Sequence, residues 1–136
     1  MLMKAKPILQ SFVPKRQAHV IANVLRSEEG EGMAEILEGL KRTLETMPKT
    51  YDQDGKGDDA VVHLHYFTGG CDWWITEKDS DPDGEGQQQA FGLADLGYGP
   101  ELGYISLVEL CAHPRVELDL FWTPKTVGEI KRAKGG

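Results

Sequence analysis

The apolar positions of the chain follow two different periods, and the change falls near Pro48. Before it, Val20, Ile21, Val24 and Leu25 recur at helical spacing. They follow Pro14, which suits a first helical turn because its missing N–H is not needed there. This predicts a helix over residues 14–27. Gly30 and Gly32 lie in the acidic stretch that follows, and two glycines so close predict a break. Met33, Ile36, Leu37, Leu40, Leu44 and Met47 then form one apolar stripe, a second helix ended by Pro48. Both stripes read as core-packing faces; the alternative is a homodimer interface built from these N-terminal helices.

Residues 51–59 form a polar, Gly-rich connector, and beyond it the period becomes two. Residues 61–67 predict a strand, with Val62, Leu64 and Tyr66 on one side and Val61, His63, His65 and Phe67 on the other. A Thr68-Gly69-Gly70 turn leads into a returning strand over residues 72–76. A long polar loop, residues 77–89, precedes strands over residues 90–96 and 102–105. Ser106 with Glu109 three places on is a capping-box pattern and predicts a short helix from Leu107 to about Ala112. Residues 116–122 alternate, with Val116, Leu118, Leu120 and Trp122 inward, as in a half-buried antiparallel strand. Residues 124–130 add a helical turn. The expected fold is α+β: two N-terminal helices, then a mainly antiparallel sheet of about five strands with a short helix before the last strand. It is read as a single domain over 1–136, with a helical part (1–48), a sheet region (49–130) and a frayed basic tail (131–136).

Composition narrows the function classes. A chain of 136 residues with 40% hydrophobic and 27% charged residues is globular, not disordered. The net charge of −7 is unevenly placed. Residues 1–50 hold 8 Lys/Arg against 6 Asp/Glu, whereas residues 51–130 hold 4 against 16. An acidic block of that size argues against nucleic-acid binding through it, because phosphates need Lys/Arg neutralisation. No apolar run approaches the roughly 18 residues of a membrane span. No apolar signal stretch follows Lys4 and Lys6. Cys71 and Cys111 are too few for a disulfide scaffold and read as reduced thiols. The expected compartment is the cytoplasm.

Three patterns offer candidate chemistry. His63 and His65 lie two apart on a strand, so both imidazoles reach toward one point, with Cys71, Asp72 or Glu77 as a third candidate metal ligand. Asp79-x-Asp81-x-Asp83-Gly84 matches the first half of a calcium loop, but Ala90 stands where the bidentate Glu belongs. Asp52, Asp54, Asp58 and Asp59, with Trp74, form a candidate interaction surface. The Gly-rich connector lacks the Gly-Lys-Ser/Thr of a phosphate loop, and its carboxylates repel phosphate. No nucleophile elbow is visible, so an enzyme is the minority reading, and no cofactor is expected beyond that candidate metal ion.

Several segments together resemble the bacterial domain-of-unknown-function family 2958. They are the Gly57-Asp58 connector, Phe67-Thr68, Trp73 and Trp74 followed by Thr76-Glu77, Phe91-Gly92-Leu93, residues 101–110, and Asp119 to Pro124. The resemblance runs over residues 47–130. Members often carry a longer insert before the last strand, where this chain has only residues 111–115, so a site on that insert is trimmed here. The resemblance implies a small cytoplasmic protein of plasmids or other mobile elements, and it carries over no catalytic residues. The leading expectation is therefore an accessory protein that binds a basic protein partner through its acidic surface. The alternatives are a metal-dependent hydrolase or nuclease using His63 and His65, and a single-strand nucleic-acid binder using the aromatic sheet.

Overall fold

The structure, a computed structural model, describes residues 7–134. Among these residues three helices come first: α1 (Pro7–Phe12), α2 (Lys15–Leu25) and α3 (Gly30–Thr46). A short 3-10 turn (Gly57–Asp59) precedes β1 (Val61–Val62), β2 (Leu64–Thr68), β3 (Cys71–Glu77), β4 (Ala90–Asp95) and β5 (Glu101–Ile105). Helix α4 (Leu107–Ala112), β6 (Glu117–Leu118), β7 (Lys125–Thr126) and α5 (Val127–Ala133) complete the chain. The main sheet has the order β5-β4-β3-β2-β6 and is antiparallel throughout, while β1 and β7 form a separate two-stranded ladder. The expected α+β class and the short helix before the last strand of the main sheet are both present.

The two faces of the main sheet are covered differently. On the first, Leu64, Tyr66 and Ile75 pack with Leu9 and Phe12 of α1, Ile21 of α2, and Leu37 and Leu44 of α3. Leu37 and Leu44 are fully buried, and each such side chain contributes about 1.5–3 kcal/mol by leaving water. The apolar stripe of α3 is therefore used in the core, as are Ile21 and Leu25 of α2, while Val20 of the α2 stripe is exposed. The second face holds a smaller cluster of Val62, Trp74 and Leu93 under Val127 and Ile130 of α5, with Trp122 against it.

The helical break is shorter than expected. Gly30 and Gly32 begin α3, and Gly30 is required by the turn: a Cβ there would meet the Leu25 carbonyl oxygen at 2.4 Å. The strand expected over 61–67 is divided at His63. Val61 and Val62 pair with β7, so Val62 faces the second cluster and not the side of Leu64 and Tyr66. The strand expected over 116–122 is also cut short, at Leu118. There the Asp119 carboxylate accepts the Phe121 N–H at 2.9 Å and turns the chain. Trp122 is thereby carried to the second face, where its indole N–H donates to the Val62 carbonyl at 3.0 Å.

Two glutamines stand in for missing strand partners. The Gln17 amide accepts from Leu118 N–H (2.7 Å) and donates to Leu118 C=O (2.8 Å), closing the edge of β6. Gln53 does the same for Val61, at 2.8 and 2.9 Å. Such side-chain partners satisfy backbone groups that a two-residue strand leaves open. Residues 131–134, expected as part of a frayed tail, belong to or cap α5, because Thr126 and Glu129 form a complete capping box at its start. The rest of that tail, like residues 1–6, lies outside the described residues.

Candidate functional site

The connector after α3 is stapled to the end of β3. Lys78 N–H donates to the Pro48 carbonyl at 2.9 Å, and Thr50 N–H donates to the Lys78 carbonyl at 2.7 Å. The buried Gln53 side chain adds a bond to the Thr76 carbonyl at 2.8 Å. A bulge between Ile75 and Glu77 re-aims the end of β3 beside β4. Gly92 sits against that bulge, and a Cβ on it would meet the Trp74 carbonyl oxygen at 2.0 Å. The result sets Glu77 against the connector, where its carboxylate accepts the Tyr51 backbone N–H. Tyr51 itself has φ +80°, a region few residues other than glycine adopt and one that clusters at functional sites.

Between the connector and β4–β5 lies a cleft of about 260 Å³. Its wall includes Tyr51, Asp54, Phe91 and Tyr104, and Gln53, Thr76 and Glu77 are its buried polar members. The Tyr51 and Tyr104 hydroxyls are 3.2 Å apart, and Phe91 meets Tyr104 edge-to-face with centroids at 5.4 Å. Tyr51 and Tyr104 are largely exposed at the mouth, while Glu77 is 4% exposed. Burial pushes the Glu77 carboxyl above its ordinary value. The nearby charges of Asp52 and Asp54 push the same way, against the pull of the Tyr51 and Gln53 N–H groups. Tyr104 is also raised, first by its bond to Tyr51 and then by burial and the negative potential reaching it from Tyr51, Asp54 and Glu77.

The residues singled out from the sequence fall in several places. His65 lies between two carboxylates, with Nε2 2.8 Å from Asp72 and Nδ1 3.4 Å from Asp119. Its ring stacks on Trp74 at 5.6 Å. His63 is half-buried, and burial lowers its imidazole below the ordinary value. Glu77 belongs to the cleft, which neither histidine lines. Among the described residues, no three His, Cys, Asp or Glu side chains are grouped to hold a metal ion.

In the 78–89 loop, Asp79 accepts the N–H groups of Asp81, Gln88 and Gln89, and Asp81 accepts that of Gly86. Those carboxylates are occupied in shaping their own loop, while Asp83 stays exposed. Asp52, Asp54, Asp58 and Asp59 are all exposed, as expected. Trp74 is not part of that surface: it is 5% exposed, because α5 covers it. Cys71 and Cys111 are free thiols, and burial pushes the Cys111 thiol up to about 12. Sequence reasoning missed Tyr51, Gln53 and Tyr104 as cleft residues. The one available signal was a lone aromatic inside an Asp/Gly-rich connector.

The fold is α+β, and the cleft is a recess just below the roughly 300 Å³ at which drug-sized ligand pockets start. The chain belongs to the family described as "Protein of unknown function (DUF2958)", whose sequence model matches residues 35–125. That span contains every residue of the cleft. No curated protein and no solved structure matches the chain. Among the described residues, no helix is long and apolar enough to cross a membrane.

Proposed function

We propose that the protein is a non-enzymatic, cytoplasmic accessory protein of a bacterial plasmid or other mobile element. In this reading it binds a basic protein partner through its acidic connector face. The observation that carries the reading is the state of the connector's carboxylates. Asp58 pairs with Lys131 at 2.9 Å, and Asp52 accepts the Lys49 N–H at 2.9 Å. Asp54 and Asp59 are exposed and make no ion pair among the described residues. Unneutralised surface charge of one sign steers an oppositely charged partner and weakens as salt rises.

The test is affinity capture from a host carrying the element, run in parallel with a variant in which Asp52, Asp54, Asp58 and Asp59 are all changed to Asn. Basic proteins retained by the wild type, released by salt and absent from the variant are the expected result. An identical set of captured proteins from both forms would overturn the reading.

A further inference from the structure

We propose that the cleft is a receptor for one cationic side chain, a lysine or arginine on an exposed segment of the protein partner. Tyr51, Phe91 and Tyr104 would lie along its aliphatic stem, and Glu77 and Asp54 would meet its charged head. This deepens the reading above and rests on it for the existence of a basic partner.

The argument begins with Glu77. A carboxylate removed from water needs a compensating charge or several hydrogen bonds. Glu77 is 4% exposed and makes no ion pair among the described residues. The charged groups acting on it are Asp52 and Asp54, both negative. Among the described residues, no lysine or arginine lines the cleft. The backbone N–H groups of Tyr51 and Gln53 reach the carboxylate, but no cation does, so what is missing is positive charge, at the inner end of an opening whose rim is aromatic.

The same sheet shows how this chain meets such a deficit when it supplies the cation itself. At the end of α5, Lys134 lies 5.8 Å from the Trp74 ring centroid and 3.3 Å from Asp95, with Asp72 at 3.8 Å. Aromatic ring, carboxylates and ammonium together form a closed set there. The cleft repeats the ring and the carboxylates and lacks the ammonium. Its 260 Å³ matches one long side chain better than a folded peptide. Acidic walls also disfavour any phosphate-bearing occupant. Lysine and arginine are the side chains that join an apolar stem to a cationic head.

The test uses the full chain, ¹⁵N-labelled, and three blocked amino acids: N-acetyl-lysine methylamide, its arginine counterpart, and N-acetyl-norleucine methylamide as a neutral mimic of the lysine stem. The expected result is a saturable shift of the Tyr51, Gln53 and Glu77 amides with the two cationic probes, with a dissociation constant on the order of millimolar. Norleucine should leave those amides in place. Glu77→Gln should weaken the cationic probes about tenfold or more, the scale of a lost charge-assisted contact. Tyr104→Ala, at an exposed position, should weaken them without touching the fold. Equal shifts with norleucine, no shift with any probe, or unchanged binding by both variants would overturn the proposal. Partners lost by the four-Asn variant but kept by Glu77→Gln, with no probe binding, would sink the cleft and leave the surface reading standing. Probe binding with a partner set indifferent to Asn at Asp52, Asp58 and Asp59, the three aspartates outside the cleft, would do the reverse.

Discussion

Two places on one face of the sheet combine aromatic rings with carboxylates, and they differ in what neutralises the acid. At the end of α5, Asp95 accepts the N–H groups of Gly97 and Gly99, at 2.8 and 3.2 Å, and meets Lys134 at 3.3 Å. Those amides, above all that of Gly97, together with Lys134, hold its carboxyl below the ordinary range, against the opposing effect of burial. At the cleft, Glu77 receives backbone N–H groups too, but its charged neighbours are acids and its carboxyl is raised. Both carboxylates are buried by solvent exposure. The contrast teaches that burial alone does not decide the direction of such a shift; the sign of the nearest charge and the number of donors do. It also separates a site the chain completes for itself from one it leaves open.

The harshest way to break the comparison is to disturb both places at once. Gly92 lies on β4 between Phe91 of the cleft and Leu93 of the Trp74 cluster. Gly92→Ala drives a methyl group to 2.0 Å from the Trp74 carbonyl oxygen, a backbone atom that no rotamer change can move. The expected loss is about 3 kcal/mol, at the upper end of overpacking costs, read as a lower denaturant midpoint. A midpoint within error of the wild type would show that β3 and β4 can separate there without penalty.

A milder change separates the two places. Thr126 caps α5, the helix that carries Val127, Ile130 and, just past its end, Lys134. Thr126→Ala removes the oxygen that accepts the Glu129 N–H at 3.1 Å. A loss of about 1 kcal/mol is expected, the usual worth of a Thr cap. Hydrogen exchange should speed up in α5 while the Tyr51 and Gln53 amides stay as protected as before. Equal loosening at both places would show that the cleft depends on α5.

Much of this architecture is legible in the sequence, and the losses have definite causes. The stripes of α2 and α3, the Thr68–Cys71 hairpin and the Ser106 cap all follow from period and local hydrogen bonding, and each is present. Periodicity failed at His63 and at Asp119. At His63 the chain leaves one ladder for another with a distant partner, and at Asp119 a side-chain hydrogen bond to the Phe121 N–H turns it out of the strand. The Thr126–Glu129 spacing is itself a capping-box pattern and places the start of α5 three residues after Pro124. The cleft was not readable. Glu77 and Tyr51 meet across 26 positions through a bulge and a left-handed residue, neither of which has a local sequence signature. Trp74 illustrates the remaining limit: adjacent tryptophans must face opposite ways, but which one α5 covers is a tertiary fact.

The smallest expected effect is also the most specific to the cleft. Glu77→Gln keeps an oxygen to accept the Tyr51 N–H and removes the charge, so stability at neutral pH should change by at most about 1 kcal/mol. Its dependence on pH carries the information. Glu77 titrates near its ordinary value of 4.5 in the unfolded chain and higher in the folded one. Below 4.5 both states hold the proton, and the stabilisation from this group is fully present. As pH rises from there through the folded value, the unfolded chain releases its proton first, and that stabilisation is lost. The variant has no proton to lose. Its stability relative to the wild type should therefore climb as pH rises across that window and then level off. Asp95 acts with the opposite sign, since its lowered carboxyl favours the folded state above its ordinary value of 3.8 and ceases to do so as pH falls through the folded value. Because Asp95 is common to both proteins, subtracting the two denaturation series isolates Glu77. A difference that stays flat, or that falls as pH rises, would mean that the Glu77 carboxylate is already compensated and that the cleft does not lack a cation.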